Sequence, residues 1–208
     1  MRLLTLSKIA VIGAGSHTRS SINLLLNYFN VQDIVIYDDS FIKGKNEKIS
    51  TIPLIGNISK IKENEGIFLS IGNNNKRREY FLKFKHQLIR SVYHASSLQE
   101  DGSKFGLANQ VFAHSYINSN VTIGNDNIIN TGAIIEHDVK IGNHNHISIG
   151  ARICGKVVIG DMCLVGAGAV ILDKLSICDN VVIGAGSVVV KNIEKSGIYA
   201  GIPAKKIK

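Results

Sequence analysis

Three of the seven histidines in this chain lie within ten residues of one another, at positions 137, 144 and 146. Glu136 and Asp138 flank the first of them. Imidazoles beside carboxylates can accept a proton from a substrate, or they can bind a metal ion such as Zn²⁺. A solvated surface without a chemical role is the third interpretation. The choice depends on the elements that position these side chains.

A period of six residues runs through the second half of the chain. Aliphatic residues occupy every sixth position from Ile117 to Val189, thirteen in succession, and mostly small or β-branched residues stand four positions after each. Neither a helix nor a simple alternating strand has this period. The pattern predicts a solenoid of short strands with tight corners, where asparagines and the glycines that follow the aliphatic residues supply left-handed backbone conformations. An Ile-rich sandwich, the alternative, would not keep one phase for so long.

The first hundred residues alternate between strand and helix signals, which predicts a parallel sheet with helices packed on it. The apolar run KIAVI is followed by GAGSHT, a partial dinucleotide-binding fingerprint in which Thr18 replaces the usual third glycine. Asp38 and Asp39 end the next strand, where carboxylates can bind a ribose or a base. Half a Rossmann fold holding a nucleotide-linked molecule is therefore expected, with a mere tight turn as the alternative. The segment RSVYH is expected to be the last strand.

Composition narrows the function classes. The net charge is +8, but the lysines are scattered and are not interleaved with aromatic residues, so small polyanions are favoured over nucleic acid. Cys154, Cys163 and Cys178 fit no zinc-binding spacing and are expected to be core residues of a cytoplasmic protein. Residues 1–15 are interpreted as a buried strand and its turn, not as a signal peptide, and no segment is long enough to span a membrane.

Several segments together resemble a bacterial sugar acyltransferase family, which includes sialic acid O-acetyltransferases and nucleotide-linked 4-amino-sugar N-acetyltransferases. These segments are VIGAGSH, IYDD, SIGNNNKRREYF, VYHASS, IINTGAIIEHDVKIGNHNHISIGARICGKVVIG and GIPAKKI. The resemblance implies an α/β Rossmann-like lobe at residues 1–95 that binds the nucleotide-sugar. It implies an all-β left-handed parallel β-helix of hexapeptide repeats at residues 96–208, which carries the acetyltransferase site and a C-terminal tail. Members are usually homotrimers that bind acetyl-CoA between neighbouring β-helices.

The resemblance also implies roles for individual residues. His137 is expected to be the general base, with Asp138 orienting it. His146 is expected near the thioester of acetyl-CoA, and the backbone near Ala167 and Ala185 is expected to line the CoA channel. Contacts with the nucleotide-sugar are expected from Gly15, Ser16, His17, Asp38, Asp39, Gly72 and Asn73.

The six-residue phase predicts where the histidines lie. His137 follows Ile135 by two residues and His146 precedes Ile147, so both are expected on the outside. An offset of nine residues is one and a half of the six-residue repeats. The imidazoles of His137 and His146 should therefore not share a face within one chain. In a trimer, His137 of one chain could approach His146 of the next. His144 is expected to be solvated.

The function implied is direct transfer of an acetyl group from acetyl-CoA to the C4 amine of a UDP- or dTDP-linked 4-amino-4,6-dideoxy sugar, for surface-glycan or protein-glycan synthesis. No acyl-enzyme is expected. O-acetylation of a sialic acid-type sugar is the alternative. A zinc enzyme resembling γ-type carbonic anhydrases, with the three histidines as ligands, is less favoured, as is a non-catalytic scaffold. No metal, nucleic acid or membrane insertion is expected.

Overall fold

The computed structural model describes residues 8–208. They form two compact units, one ending at Arg90 and the other spanning Ser91–Lys208. The division into two functional domains after residue 95 stays a prediction. The expectation of a buried strand for residues 1–7 lies outside the described residues.

The first unit is built on a five-stranded sheet. In chain order its elements are β1 (Ile9–Ile12), α1 (Ser16–Leu25), a 3₁₀ turn (Val31–Asp33), β2 (Ile34–Tyr37), β3 (Lys48–Ile49), β4 (Ile52–Gly56), a 3₁₀ turn (Ile58–Lys60), β5 (Gly66–Leu69) and α2 (Asn74–Lys83). The strand order is β3-β4-β2-β1-β5. The pairs β1–β2, β1–β5 and β2–β4 are parallel, and β3 pairs antiparallel with β4 at the edge. The predicted α/β lobe is confirmed.

Burial explains why these segments form strands. Every residue of β1, β2 and β5 is buried, and the three sequences are IAVI, IVIY and GIFL. Such uninterrupted apolar runs are typical of parallel strands that are covered on both faces. Helix α1 buries Thr18, Ile22 and Leu25 at the spacing of one helical face. Within residues 8–208, no helix combines the length and the apolar character needed to cross a membrane.

The second unit is a solenoid of three sheets whose strands pair in parallel, apart from β24. The first sheet contains β7 (Leu98–Gln99), β10 (Tyr116–Ile117), β13 (Ile134–Ile135), β16 (Arg152–Ile153), β19 (Val170–Ile171) and β22 (Val188–Val189). The second contains β8 (Lys104–Phe105), β11 (Thr122–Ile123), β14 (Lys140–Ile141), β17 (Val158–Ile159) and β20 (Ser176–Ile177). The third contains β6 (Val92–Tyr93), β9 (Gln110–Val111), β12 (Ile128–Ile129), β15 (His146–Ile147), β18 (Leu164–Val165), β21 (Val181–Ile183), β23 (Gly197–Ala200) and the antiparallel β24 (Lys205–Lys206).

Each turn of the solenoid takes three six-residue rungs. Tyr116 pairs with Ile134 and Ile134 with Arg152, so paired residues are 134 − 116 = 18 apart. The core is formed by the aliphatic residues of the six-residue series and by the residues four positions later. The predicted parallel β-helix is confirmed. One strand differs from the expectation: β6, in the segment RSVYH, pairs with β9 of the solenoid and not with the first sheet.

The corners correct the expected role of glycine. Every sixth residue from 108 to 186 has a positive φ, and most of these are not glycine: the exceptions are the glycines at 132, 150, 168 and 186. The glycines that follow the aliphatic residues serve another purpose. A Cβ at Gly124 would lie 2.6 Å from Gly142 O, and one at Gly166 would lie 2.5 Å from Ala185 N. These glycines are required by the close approach of successive turns, not by a left-handed backbone.

Buried asparagines connect the turns as well. Asn127 and Asn145 take inward positions that were expected to hold small residues, and both are fully buried. Asn127 Oδ1 accepts a hydrogen bond from Asn145 N (2.8 Å), and Asn145 Oδ1 accepts one from Cys163 N (2.6 Å). The ladder satisfies amides that burial would otherwise leave without water.

Candidate functional site

A cavity of about 320 Å³ lies at the carboxyl ends of β1, β2 and β5. The chain leaves β1 toward β2 on one side, while β5 lies on the other side, so this is the point where the strand order reverses. Open α/β sheets bind ligands at such points. Six of the seven expected substrate contacts line the cavity: Gly15, Ser16, His17, Asp38, Gly72 and Asn73. The other lining residues were not among the substrate contacts expected from the sequence: Ile12, Gly13, Ile58, Ser70, Ile71, Lys76 and Tyr80.

The GAGSHT turn brings β1 and β5 together. Gly13 has φ +113°, and a Cβ there would lie 2.7 Å from Ser70 O. At Gly15 a Cβ would meet nothing within 4 Å, so the missing side chain leaves space on the cavity side. Thr18, at the position of the usual third glycine, is buried and donates its hydroxyl to Gly13 O (2.9 Å). Thr18 therefore stabilises the turn from the buried side, through its hydrogen bond to Gly13.

Asp38 and Asp39 are held by the protein's own backbone. Asp38 Oδ2 accepts a hydrogen bond from Ala14 N (2.8 Å), and Oδ1 accepts one from Ser40 N (2.9 Å). Partial burial would raise the pKa of Asp38, but these hydrogen bonds and the nearby Lys76 bring the pKa below its usual value. Asp39 does not line the cavity, and its carboxylate accepts from Ile58 N (3.3 Å). Asp38 therefore presents an ionised carboxylate to the cavity, whereas Asp39 supports the cavity wall.

Two helices begin at the cavity. Ser16 and His17 are the first residues of α1, and Asn73 caps α2 by accepting a hydrogen bond from Lys76 N (3.0 Å). Amide groups at a helix N-terminus attract anions, and the Lys76 side chain lines the same cavity. The positive groups on one wall and Asp38 on the other suit a ligand with both anionic and hydroxyl groups.

His137 and Asp138 lie at a solenoid corner after β13. His137 Nδ1 is 2.9 Å from Asp138 Oδ2, and the imidazole is about half exposed (52%). This hydrogen bond lowers the pKa of Asp138, with Lys156 contributing in the same direction. Glu136, on the other side of the histidine, accepts a hydrogen bond from Asn118 Nδ2 (2.7 Å). The arrangement is an exposed imidazole oriented by an ionised carboxylate, which can accept a proton from a bound nucleophile.

Gly155 lies one turn above this corner. A Cβ built there would be 2.8 Å from His137 Nε2 and 2.9 Å from Cε1. The backbone joins the same two turns, since Lys156 N donates to His137 O (2.9 Å). Gly155 leaves the space that the imidazole occupies. The sequence interpretation missed it, although 155 is 137 + 18 and the turn length was readable from the repeats.

The expected CoA contacts lie elsewhere on the solenoid. His146 is in β15 of the third sheet, where Asn130 Nδ2 lies 3.2 Å from His146 Nε2. The corner of His137 and the strand of His146 are thus on different parts of one chain, as the six-residue phase indicated. Ala167 and Ala185 are exposed at one corner in successive turns, where Gly186 N donates to Ala167 O (2.8 Å). Their roles toward CoA stay predictions.

His144 was expected to be solvated, and this was wrong. The residue is buried, and its Nδ1 lies 2.8 Å from Asp126 Oδ2, one turn earlier. His137, His144 and His146 therefore occupy a corner, a buried position and a sheet, so one chain does not gather them around one ion. Among residues 8–208, no group of three His, Cys, Asp or Glu side chains is arranged to hold a metal.

Two family models match the chain. The model of the PglD N-terminal domain matches residues 8–84, and that of the bacterial transferase hexapeptide (six repeats) matches residues 156–191. No curated protein matches the sequence.

Solved structures are similar over nearly the whole chain. The acetyltransferase domain of PglB from Neisseria gonorrhoeae FA1090 is 27% identical with a TM-score of 0.87, and the match covers 97% of this chain and 100% of that one. This domain has also been solved in complex with acetyl coenzyme A. PerB from Caulobacter crescentus, solved with CoA and GDP-perosamine, is 25% identical with a TM-score of 0.85, covering 98% and 99%. WeeI from Acinetobacter baumannii AYE, 21% identical with a TM-score of 0.85 over 96% and 99%, shares the fold.

These matches confirm the predicted resemblance to bacterial sugar acyltransferases with a hexapeptide-repeat, left-handed β-helix. They also confirm the expectation of a sugar acetyltransferase that uses acetyl-CoA.

Proposed function

From the premise that the chain is a sugar acetyltransferase, we propose that it acetylates the C4 amine of a nucleotide-linked 4-amino-4,6-dideoxy sugar, with the nucleotide bound in the cavity of the first unit. The uridine and thymidine diphosphates are the first candidates, and the neighbour that binds GDP-perosamine adds guanosine diphosphate to the set. The product serves surface-glycan or protein-glycan synthesis.

The observation that carries this proposal is the pair formed by His137 and Asp138. A thioester needs no enzyme nucleophile when an amine is held against it, but the attacking amine must lose a proton. His137 takes that proton as the nitrogen–carbon bond forms, and the carbon–sulfur bond breaks to release CoA, which leaves as the thiol after the proton returns.

The cavity supports a nucleotide-linked substrate. Its two helix N-termini and Lys76 suit a diphosphate, and Asp38 suits hydroxyl or amine groups. The contacts we assign to the nucleotide-sugar are Gly15, Ser16, His17, Asp38, Gly72 and Asn73, with Asp39 behind them.

For CoA we assign His146, Ala167 and Ala185, in a cytoplasmic homotrimer where His137 of one chain approaches His146 of the partner subunit. Light scattering measures the trimer directly, and a stable monomer in the presence of CoA would contradict this assembly.

Ligand binding tests the function. UDP-, dTDP- and GDP-linked 4-amino sugars are added separately and thermal unfolding is measured. Free sialic acid is added in a further sample, as the substrate of the alternative reaction. We expect one nucleotide-sugar to raise the midpoint and to be consumed with acetyl-CoA, releasing CoA thiol. A response to free sialic acid together with O-acetylation would instead assign the alternative reaction.

A further inference from the structure

Arg77 is the largest fully buried side chain of the described residues. It lies in α2, in the first unit, and its guanidinium is charged at every accessible pH. Burying such a group is unfavourable unless its N–H groups find acceptors. The position of those acceptors therefore indicates what the side chain stabilises.

Arg77 donates to two carbonyl groups of the short segment that joins β5 to α2 and to the side chain of the first residue of α2. Nη1 donates to Ile71 O (3.1 Å) and Gly72 O (3.3 Å), and Nη2 donates to Asn74 Oδ1 (3.1 Å). Ile71 and Gly72 line the cavity. One planar guanidinium thus holds two consecutive carbonyl groups of the cavity wall, which a flexible ammonium group does less well.

The arrangement matters for an anionic ligand. Carbonyl oxygens carry partial negative charge and repel a phosphate, whereas the amide groups at the start of α2 attract it. Arg77 engages the carbonyls at 71 and 72 with a buried positive charge, while Asn73 caps the helix and Lys76 lines the cavity. The same side chain therefore removes a repulsion and adds a nearby cation.

We propose that Arg77 is a positioning residue that shapes residues 71–74 to bind the diphosphate of the substrate. This inference rests on the proposed binding of a nucleotide-sugar in the same cavity. It assigns to Arg77 no contact with the substrate and no part in proton transfer. Its effect is expected in the affinity for the phosphates, not in the chemical step.

The experiment compares R77Q and R77K with R78Q, which removes the charge of the adjacent, exposed arginine of the same helix. Dissociation constants are measured for the nucleoside diphosphate that the unmodified protein prefers and for its monophosphate, together with kcat and the KM for each substrate. For R77Q we expect about tenfold weaker diphosphate binding and a much smaller preference over the monophosphate, because the carbonyl groups of Ile71 and Gly72 lose the charged donor that holds them. The KM for acetyl-CoA and kcat at saturation should stay within about threefold, since no reacting group changes. R77K should be intermediate and R78Q unchanged.

Equal weakening of monophosphate and diphosphate binding, or an equal effect of R78Q, would overturn the assignment, because a general loss of structure or of charge would then explain the result. Thermal unfolding shows whether R77Q folds, and if it does not, R77K decides by the same ratio. If the unmodified protein binds no nucleoside diphosphate, the proposed function fails. If it binds one and both Arg77 variants bind equally well, only this inference fails.

Discussion

His137 Nδ1 lies 2.9 Å from Oδ2 of the next residue, Asp138. Consecutive residues of an extended strand point to opposite faces and do not meet in this way. Asp138 has φ +63°, and this left-handed conformation at the corner interrupts the alternation. A carboxylate only accepts hydrogen bonds, so the pair requires the proton on Nδ1 and leaves Nε2 as the atom that can accept one.

Replacing His137 by alanine tests the base directly. We expect kcat/KM to fall about 10²–10⁴-fold, the usual contribution of general base catalysis. The side chain is half exposed, so the thermal midpoint should hardly change. His114→Ala, which removes an exposed imidazole from another corner, is the control. Equal activity of the two variants would remove His137 from the mechanism.

Asp138→Asn keeps the His137 imidazole and removes the carboxylate that orients it, so it tests the orienting role alone. Asparagine tolerates the left-handed backbone, but its amide can donate to Nδ1 and so favour the tautomer with the proton on Nε2. We expect kcat to fall about 10–100-fold while nucleotide binding is unchanged. Asp173→Asn, an exposed carboxylate at the same corner two turns later, should have little effect. A normal kcat in Asp138→Asn would show that the carboxylate is not needed.

Gly155→Ala places a methyl group only 2.8 Å from His137 Nε2, which is closer than the two atoms can approach. The imidazole must move, so we expect kcat to fall about tenfold with little loss of stability, because a small displacement of a catalytic group is costly. A double-mutant cycle with His137→Ala supplies the control. The glycine substitution should have no further effect once the imidazole is absent, and additive losses would place the action of Gly155 elsewhere.

Much of the fold could be predicted because each rung contributes its own inward aliphatic residue, so the signal is local and repeats. The corners could not be predicted residue by residue. Positive φ values fall on Lys156 and Met162 as well as on glycine, since the stacked turns impose the conformation on whatever residue stands there. The pairing of β6 with β9 was missed for a related reason, because the partner 18 residues away determines the sheet.

The candidate site shows the same division. Residues that directly follow strands, such as Gly15 and Asp38, carry a recognisable motif and were predicted to meet. Lys76 and Tyr80 reach the cavity from α2. They lie in the segment SIGNNNKRREYF, but no substrate contact was expected from them, because the packing of the helix decides which of its residues reach the cavity. The hydrogen bond from Ala14 N to Asp38 could likewise not be predicted from the sequence, since it depends on the backbone conformation of the turn.

Asp38 makes the stability of the first unit depend on pH. Its pKa in the folded protein lies below the ordinary 3.8, so its carboxylate stabilises the fold above pH 3.8, and this contribution is lost as the pH falls through the folded pKa. We expect Asp38→Asn to lower the free energy of unfolding by about 1 kcal/mol near pH 7 through its weakened hydrogen bonds. Urea titrations at several pH values should show that the difference in unfolding free energy between Asp38→Asn and the unmodified protein becomes smaller below pH 3.8. Glu63→Gln, an exposed carboxylate of the same unit, is the control, and a difference independent of pH would contradict the assignment.

The buried pair of His144 and Asp126 predicts a stability effect without a catalytic one. The two residues are one turn apart, 2.8 Å between Nδ1 and Oδ2, and the Asp126 side chain is fully buried. Removing one partner of a buried ionisable pair typically costs about 3–5 kcal/mol, because the other loses its compensation. We expect His144→Ala to lower the free energy of unfolding by at least about 2 kcal/mol, as other substitutions in a protein core do. At an assay temperature about 20 °C lower than the variant's thermal midpoint, its kcat should stay within about threefold of the unmodified protein's. Lys45→Ala, which breaks an exposed pair with Glu47, should cost under about 1 kcal/mol. A stable His144→Ala protein with greatly reduced turnover would reverse the argument and place this imidazole in the reaction.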